Sequence, residues 1–392
     1  MHNADITREE TAERAGLLRV ESYDVALDLT RGGESFRSTS VVIFDCAEPG
    51  AATYADLVAE TVHEITLNGA PVDPMTAYVD GRIALTGLAE RNELRVVADC
   101  AYEASGFGLQ RSVDSADGRI YTFTQFEAAH ARRVFANFEQ PDLKAPFTFH
   151  VAVPEHWTVL SNQPAPEPQP AGGGAAVWHF PPTPRISTYL TAIAAGEYHV
   201  VRDTHTTPGG QVIPLGLACR QSMVPFLDVA DIVLITRQGL DYFTGLFGDY
   251  PFDKYDQVFV PDNAGAMENV GCVILTESLL FRSKVTDIRY EERATIILHE
   301  MAHQWFGDLV TMRWWEDLWL NESFAEFAGT LATAEATRFT EAWTTFCGGR
   351  KMWGYGQDQL PSTHPIAADV PTLSQAEANF DGISYAKGAA VL

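Results

Sequence analysis

Basic residues, cysteines and long apolar stretches are all scarce in this 392-residue chain. Lys and Arg number 27 against 52 Asp and Glu, which gives a formal net charge of -25. Because such a chain repels phosphate backbones and anionic lipid surfaces, we expect no nucleic-acid partner. No segment approaches the roughly 18 consecutive apolar residues of a membrane span, and residues 1–16 lack the apolar core of a secretion signal. We therefore expect no membrane association and a cytoplasmic location.

The five cysteines are scattered and form no C-x-x-C pair: Cys46, Cys100, Cys219, Cys272 and Cys347. Their odd number and their spacing give no sign of a zinc ribbon or a redox site. We expect free, buried thiols, which suit a reducing compartment.

Composition and length predict a globular protein with more than one domain. The chain is 46% hydrophobic and 20% charged, as ordinary globular proteins are, and its length exceeds what one hydrophobic core usually supports. Apolar and polar residues alternate at period two, the pattern of half-buried strands. These runs are 18–30, 38–45, 53–67, 93–100, 119–126, 146–153 and 185–196. Residues 1–200 are therefore predicted to form an all-β, sandwich-like or saddle-like domain.

The pattern changes after a boundary that we place near residues 197–212. Helical spacing is found in 226–246 and in two segments of 288–335, with strands predicted at 256–260 and 271–276. We therefore predict an α+β multidomain protein in which residues 201–392 form a second, mixed domain, the one that contains the candidate site described next.

Two shorter features complete this outline. The capping box formed by Thr7 and Glu10 predicts a short helix near the start of the chain. The low-complexity stretch 162–175 resembles a linker, but strand-like sequence resumes directly after it. We therefore predict a surface hairpin inside the first domain.

A metal-binding pattern lies within the predicted helix at 289–309. His299 and His303 are spaced i and i+4, so their imidazoles share one face and can converge on one zinc ion. Glu300, between them, can take a proton from a water molecule at the metal. Five residues alone could also match by accident in a surface helix, so a third ligand is needed.

Glu322 supplies the third ligand of a catalytic site. It follows His303 after 18 residues, in a second predicted helix that a chain reversal can bring against the first. Three protein ligands leave a fourth position for water, as catalytic zinc sites do. We expect one zinc ion per chain, held by His299, His303 and Glu322, with Glu300 as the general base.

Glu326 lies one helical turn after Glu322, on the same face. Two interpretations are open. The carboxylate either accepts a hydrogen bond from a ligand imidazole or is an exposed helix residue.

These residues, together with further sequence words, resemble the M1 family of zinc aminopeptidases, which belongs to the gluzincins. The matching words are HEMAHQWFGDLVT at 299–311, WWEDLWLNESFAEF at 314–327, GAMEN at 265–269, TQFEAAHARRVF at 124–135 and SYAKG at 384–388. Their order and spacing agree with the family, and the resemblance spans the chain. It implies a zinc-dependent aminopeptidase with a thermolysin-like catalytic domain.

The resemblance also implies how a substrate would be recognised. Glu268 of GAMEN would bind the free α-ammonium group of a peptide, and Glu127 would reach the same group. Gln125 would line the first side-chain pocket. The substrates would then be peptides with a free N-terminus.

Further roles follow from the same resemblance. Gly265 and Ala266 would leave the backbone open for strand-like pairing with a peptide, and Met267 is assigned to the same substrate-binding segment. Tyr385 of SYAKG would donate a hydrogen bond to the tetrahedral oxyanion.

The chain departs from the family in two places. Family members often carry a P-C-F-D-E-P-like word where this chain has ANFEQP at 136–141, and we expect the change to affect local packing more than activity. The resemblance also stops at Leu392, whereas related proteins continue with the rest of the catalytic domain and a large helical domain. We therefore expect a truncated piece of a longer protein, with Tyr385 near a poorly anchored end.

Other functions share part of the pattern. A thermolysin-like endopeptidase has the same ligands but no need of GAMEN, and an epoxide hydrolase occurs among M1 relatives. A non-catalytic scaffold usually loses a ligand or the base, whereas this chain keeps all four residues. An inactive fragment is the remaining alternative. We expect a monomer, and the sequence indicates no side-chain preference.

Overall fold

The computed structural model describes residues 5–261 and 265–392. The chain divides into two compact units, Met1–Tyr198 and His199–Leu392. The first unit is rich in strands, and the second combines one mixed sheet with helices. The α+β class is therefore confirmed. The predicted boundary between residues 200 and 201 lies beside this division.

From residue 5 onwards, the first unit contains two α-helices and a series of mostly short strands. The helices are α1 (Arg8–Leu17) and α2 (Pro74–Ala77). The strands are β1 (Leu18–Asp28), β2 (Ser35–Cys46), β3 (Thr53–Asp56), β4 (Thr61–Leu67), β5 (Ala70–Val72), β6 (Tyr78–Val79), β7 (Arg82–Leu85), β8 (Arg91–Ala101), β9 (Gly108–Val113), β10 (Ile120–Gln125), β11 (Phe147–Pro154), β12 (Thr158–Ser161), β13 (Gln169–Gly172), β14 (Ala175–His179) and β15 (Ile193–Gly196).

Eight of these strands form one large sheet, in the order β13-β14-β11-β1-β2-β8-β4-β5. In β2 every second residue from Phe36 to Cys46 is buried, so the period-two pattern in the sequence marks a strand with one core-facing side. Two smaller sheets have the orders β12-β15-β10-β9 and β3-β7-β6.

The predicted capping box and hairpin are both present. The hydroxyl of Thr7 accepts a hydrogen bond from the backbone N–H of Glu10 at 3.2 Å, and the Glu10 carboxylate accepts one from the N–H of Thr7 at 3.2 Å. The strands β13 and β14 pair antiparallel inside the first unit. The low-complexity stretch therefore leads into a hairpin.

Two predicted strands are wrong in extent. Residues 53–67 form the two strands β3 and β4, and residues 185–196 form a strand only at their end, in β15. Residues 186–196 are buried without alternation. Their backbone is satisfied partly by side chains, since Asn162 Nδ2 donates to the carbonyl of Leu190 at 2.8 Å. These residues therefore do not need a neighbouring strand along their whole length to satisfy their backbone hydrogen bonds.

The ANFEQP word is part of the core of the first unit. Glu139 and Gln140 are both buried. Gln140 Oε1 accepts a hydrogen bond from Arg14 Nε at 2.5 Å, and Thr188 donates to Glu139 Oε1 at 2.6 Å. These contacts support the expectation that the altered word acts on local packing.

The second unit has one mixed sheet and six helices in its described residues. Its strands are β16 (His199–Thr206), β17 (Val212–Cys219), β18 (Tyr255–Val260), β19 (Ala266–Met267) and β20 (Cys272–Thr276), in the order β16-β17-β18-β20-β19. Its helices are α3 (Val229–Phe247), α4 (Asp287–His303), α5 (Leu318–Ala336), α6 (Ala342–Gly348), α7 (Arg350–Asp358) and α8 (Leu373–Ala378). The helices predicted at 226–246 and 288–335 and the two predicted strands are confirmed.

The core of the second unit holds α4 in place beneath the predicted site. Leu298 and Met301 of α4 are fully buried and face Gly239 of α3. A β-carbon at Gly239 would clash with Leu298 and would lie 2.8 Å from the sulfur of Met301. The glycine therefore lets α3 pack closely against the helix that carries both histidines.

All five cysteines are free; four are buried and Cys347 is exposed. The prediction of free thiols is confirmed, but the expected burial fails at Cys347. In the part of the chain that the structure describes, no helix combines the length and the apolar character needed to cross a bilayer.

Candidate metal centre and active site

Two helices of the second unit carry the predicted metal ligands. His299 and His303 lie in the last turns of α4, and Glu322 lies in the second turn of α5. The helices approach closely because Gly329 has no side chain. A β-carbon there would lie 2.8 Å from the backbone nitrogen of His299. This glycine permits the helix contact that brings the three ligands together.

The three ligand atoms form a triangle of the size that zinc requires. Nε2 of His299 lies 3.0 Å from Nε2 of His303, and Oε2 of Glu322 lies 3.3 and 3.5 Å from these nitrogens. Tetrahedral zinc, with bonds of about 2.0 to 2.2 Å, places neighbouring ligand atoms about 3.3 Å apart. Buried Oε2 of Glu322 has no hydrogen-bond partner among the described residues. The donor set therefore fits zinc.

Asn321, the residue before Glu322, orients the second imidazole. Its Oδ1 lies 2.5 Å from Nδ1 of His303, and the carbonyl of Phe306 lies 3.1 Å from the same nitrogen. With two acceptors at Nδ1, the proton resides there and Nε2 keeps its lone pair for a metal. Gly307, at φ +133, makes room because a β-carbon there would clash with Asn321.

The GAMEN segment is tied to α4 through Gln304. Gln304 Nε2 donates to the carbonyl of Glu268 at 2.8 Å, and its Oε1 accepts from the N–H of Gly271 at 3.1 Å. Asn321 Nδ2 also donates to Glu268 Oε1 at 3.4 Å. The carboxylate of Glu268 is thereby fixed beside the predicted metal ligands.

Three buried carboxylates face two imidazoles at this centre. Carboxylate oxygens of Glu268 and Glu300 and a ring nitrogen of His303 all lie within 4.8 Å of one another. Burial lowers the pKa of His303, but Glu268 and Glu322 outweigh it and hold that pKa well above its usual range. Burial favours neutral Glu322, yet the imidazoles keep its pKa at about 2. The site is therefore built to receive positive charge.

Glu300 has the environment expected of a general base. It is 5% exposed, and burial raises its pKa well above the ordinary range. The charges of Glu268 and Glu322 add to this shift, while His303 opposes it. A carboxylate with a raised pKa accepts a proton more readily than one in water.

The strand β19 lies at an edge of the described mixed sheet. Ala266 and Met267 pair with β20 only, opposite Leu275 and Ile274. Gly265 is exposed and Ala266 is half-buried, whereas Met267 is fully buried. An edge strand of this kind is where a peptide can add as a further strand.

Tyr385 lies in a π-helical turn, Ile383–Lys387, and its ring faces a metal ligand. The rings of Tyr385 and His299 are nearly parallel, with centroids 6.1 Å apart. The hydroxyl of Ser323, next to Glu322, donates to the carbonyl of Ser384 at 2.5 Å. A β-carbon at Gly388 would clash with Ser323, which explains the final glycine of SYAKG.

Glu326 is buried, so the interpretation as an exposed helix carboxylate is wrong. It is 5% exposed, and its Oε2 lies 3.9 Å from Nδ1 of His299. Both of its oxygens accept hydrogen bonds from Arg350, each at 2.7 Å.

Gln125 and Glu127 belong to the first unit. Gln125 is the last residue of β10, opposite Gly108, and Glu127 follows two residues later. Their roles in substrate recognition stay predictions. Asn321, Gln304 and Arg350 were missed by the sequence analysis, although Asn321 and Gln304 adjoin recognised ligands and are buried polar residues on predicted helices.

Two family models match the chain. The model of the peptidase M1 N-terminal domain matches residues 22–190, and that of the peptidase family M1 domain matches residues 234–392. The second match contains both histidines of α4 and the glutamates of α5. The two matched regions fall in the two compact units, one in each.

Named relatives agree with the models. Aminopeptidase N of Streptomyces lividans is 55% identical over 399 residues, which cover 100% of this chain and 46% of that protein. Probable aminopeptidase 2 of Sulfurisphaera tokodaii is 38% identical over 69% of this chain and 34% of its own length. Aminopeptidase M1-A of Oryza sativa is 34% identical over 95% of this chain and 42% of its own length. The chain thus spans less than half the length of these curated relatives. The two family models and the 55% identity show that it belongs to peptidase family M1.

Proposed function

We propose that this protein is a zinc-dependent aminopeptidase that removes the N-terminal residue from peptides. The observation that supports it most is the position of Glu268. Its buried carboxylate lies beside the ligand triangle and the base, where a peptide's α-ammonium would approach if its first peptide bond lay at the metal. The names of the relatives support the same activity.

Zinc is proposed to be held by His299, His303 and Glu322. When bound, it supplies Lewis acidity, which polarises the scissile carbonyl and makes water a stronger nucleophile. Three protein ligands leave a fourth position for water or substrate, as catalytic zinc sites do. Asn321 keeps the His303 proton on Nδ1 throughout.

Glu300 is proposed to move the proton of the reaction. Its carboxylate takes the proton from the attacking water and then passes it to the leaving amine. Tyr385 is proposed to donate a hydrogen bond from its hydroxyl group to the oxyanion that develops from the scissile carbonyl. Glu300 is 5% exposed, and burial of this kind strengthens its electrostatic interactions.

Glu268 and Glu127 are proposed to bind the substrate ammonium, and Gln125 to line the first side-chain pocket. Gly265, Ala266 and Met267 are proposed to hold the peptide backbone along β19. This requirement for a free amine disfavours an endopeptidase.

Buried free thiols support a reducing, cytoplasmic location. The proposal that the protein acts as a monomer is open to a molar-mass measurement in solution.

The activity is tested with metal analysis and one variant. Purified protein is expected to contain one zinc per chain and to hydrolyse an aminoacyl anilide with a free amine. Glu300→Ala is expected to retain zinc and to lose turnover by at least about 10²-fold. Equal turnover by this variant would remove Glu300 from the mechanism, and absence of zinc from active protein would overturn the metal assignment.

A further inference from the structure

Arg350 and Glu326 form a two-pronged ion pair directly behind a proposed metal ligand. Arg350 Nε donates to Oε1 of Glu326 and Nη2 donates to Oε2, both at 2.7 Å. Two parallel bonds of this kind fix the plane of a carboxylate, which a single point charge cannot do. Glu326 therefore has one orientation in the structure.

The fixed carboxylate faces His299. Its Oε2, the oxygen held by Nη2 of Arg350, lies 3.9 Å from Nδ1 of His299, whose Nε2 points towards Glu322. A carboxylate on this side of the ring favours the tautomer with hydrogen on Nδ1 and the lone pair on Nε2. Glu326 thus lies on the Nδ1 side of His299, as Asn321 does for His303, but its separation of 3.9 Å is longer than the 2.5 Å of the Asn321 contact.

The guanidinium of Arg350 also packs against aromatic rings. It lies 4.6 Å from the ring centre of Trp353 and 5.9 Å from that of Tyr385. The ring of Tyr385 is in turn nearly parallel to that of His299. One side chain therefore contacts both the carboxylate behind a metal ligand and the ring of the proposed oxyanion donor.

The two side chains of this ion pair differ in exposure. The side chain of Arg350 is 45% exposed, whereas that of Glu326 is 6% exposed. Because Glu326 is buried, loss of Arg350 would leave its carboxylate unpaired, so the guanidinium both stabilises the fold and sets the position of this carboxylate. Arg350 is the first residue of the short helix α7, so it comes from a different helix than the ligands on α4 and α5.

We propose that Arg350 is a positioning residue: it holds Glu326 against His299 and steadies the ring of Tyr385, so that metal affinity and oxyanion stabilisation depend on the same guanidinium. This inference rests on the proposed zinc aminopeptidase function. It adds a residue outside the sequence words that carry the family resemblance.

The experiment measures zinc affinity by competition with a chromophoric chelator, in the full chain. The variants are Arg350→Gln, Arg350→Lys, Glu326→Gln and the double variant with Gln at both positions. We expect Arg350→Gln and Glu326→Gln each to bind zinc about 10 to 100-fold more weakly. Arg350→Lys keeps the charge without the two-pronged geometry and is expected to fall between wild type and Arg350→Gln.

The double variant separates action through Glu326 from an independent effect. If Arg350 acts through Glu326, the double variant loses no more zinc affinity than the weaker-binding single variant. In turnover assays at saturating zinc, Arg350→Gln should lower kcat with KM nearly unchanged, because the Tyr385 contact acts in the transition state. Circular dichroism melting of the metal-free variants checks that they fold.

Arg338→Gln is the matched control. Arg338 is also about half exposed and stacks on an aromatic ring, Phe339, but it pairs with Asp287, away from the metal ligands. The Arg338→Gln variant should bind zinc as tightly as the wild-type protein does. Zinc affinity of Arg350→Gln within twofold of wild type, or fully additive losses in the double variant, would overturn the inference while leaving the proposed function intact. Failure of the wild-type protein to bind zinc would overturn both.

Discussion

Asn321 Oδ1 lies 2.5 Å from Nδ1 of His303, so the residue just before one proposed metal ligand orients another. The same amide donates to Glu268 at 3.4 Å. One buried side chain thus connects the metal centre to the proposed ammonium site. Its removal should affect both.

Replacing Asn321 with Ala is predicted to weaken zinc binding by about 10 to 100-fold. The reason is that His303 would lose the acceptor that holds its proton on Nδ1. KM for a free-amine substrate should rise as well, because Glu268 loses a donor. Titration with a chelator and steady-state kinetics at saturating zinc measure the two effects. An unchanged zinc affinity would show that Phe306 alone suffices to orient the imidazole.

Replacing Gly329 with Ala is predicted to push α5 away from α4. The new β-carbon would lie 2.8 Å from the backbone nitrogen of His299 and 2.9 Å from its α-carbon. Overpacking of this kind costs about 1 to 3 kcal/mol, and zinc affinity should fall because Glu322 moves with α5. Urea unfolding of the metal-free protein measures the first effect.

Gly245→Ala is the control for that variant. Gly245 also lies inside a long helix, α3, but a β-carbon there meets nothing within 4 Å. Alanine should therefore stabilise the protein slightly, by at most about 1 kcal/mol. If both variants behaved alike, the close approach at Gly329 would not limit the helix contact.

Glu139 predicts a pH dependence of stability in the first unit. Burial raises the pKa of its carboxyl group to about 7, although the Thr188 hydroxyl and the charge of Arg132 oppose the shift. The folded state therefore holds this proton more tightly than the unfolded state, whose pKa is near 4.5. The stability that the protonated Glu139 carboxyl group contributes is fully present below about pH 4.5 and is lost as the pH rises through about 7.

The variant Glu139→Gln isolates this effect. Relative to the variant, the wild-type free energy of unfolding should fall by up to about 3 kcal/mol between pH 4.5 and pH 8, because the folded protein must give up a proton that burial holds up to about pH 7. Denaturant titrations of both proteins across this range provide the measurement. A wild-type free energy of unfolding that, relative to the variant, stays constant or rises with pH would contradict the assignment.

Much of the metal centre could be predicted because it depends on short-range spacing. His299 and His303 share a helix face by their separation alone, and Glu300 lies between them. Glu322 required only that a second helix return to the first. The alternating strands such as β2 were predictable for a similar reason, since burial repeats with the pleat.

The partners of these residues could not be predicted in the same way. Arg350 is 24 residues from Glu326, and Gln304 is 36 residues from Glu268. Hydrogen bonds between side chains so far apart follow from tertiary packing and have no characteristic spacing. The segment 185–196 was misjudged because its apolar residues are buried on all sides, and alternation then no longer distinguishes a strand from a coil held by side chains.

The most direct test of the central claim compares one free-amine aminoacyl anilide with its N-acetylated form, in wild type and Glu268→Gln. The wild-type protein loaded with zinc is predicted to hydrolyse the free amine and to leave the acetylated substrate essentially uncleaved. Glu268→Gln should keep its zinc and lose about 10²-fold in kcat/KM on the free amine, because the ammonium loses its buried carboxylate. Comparable cleavage of both substrates by the wild-type protein would contradict the aminopeptidase account, even with zinc bound at His299, His303 and Glu322.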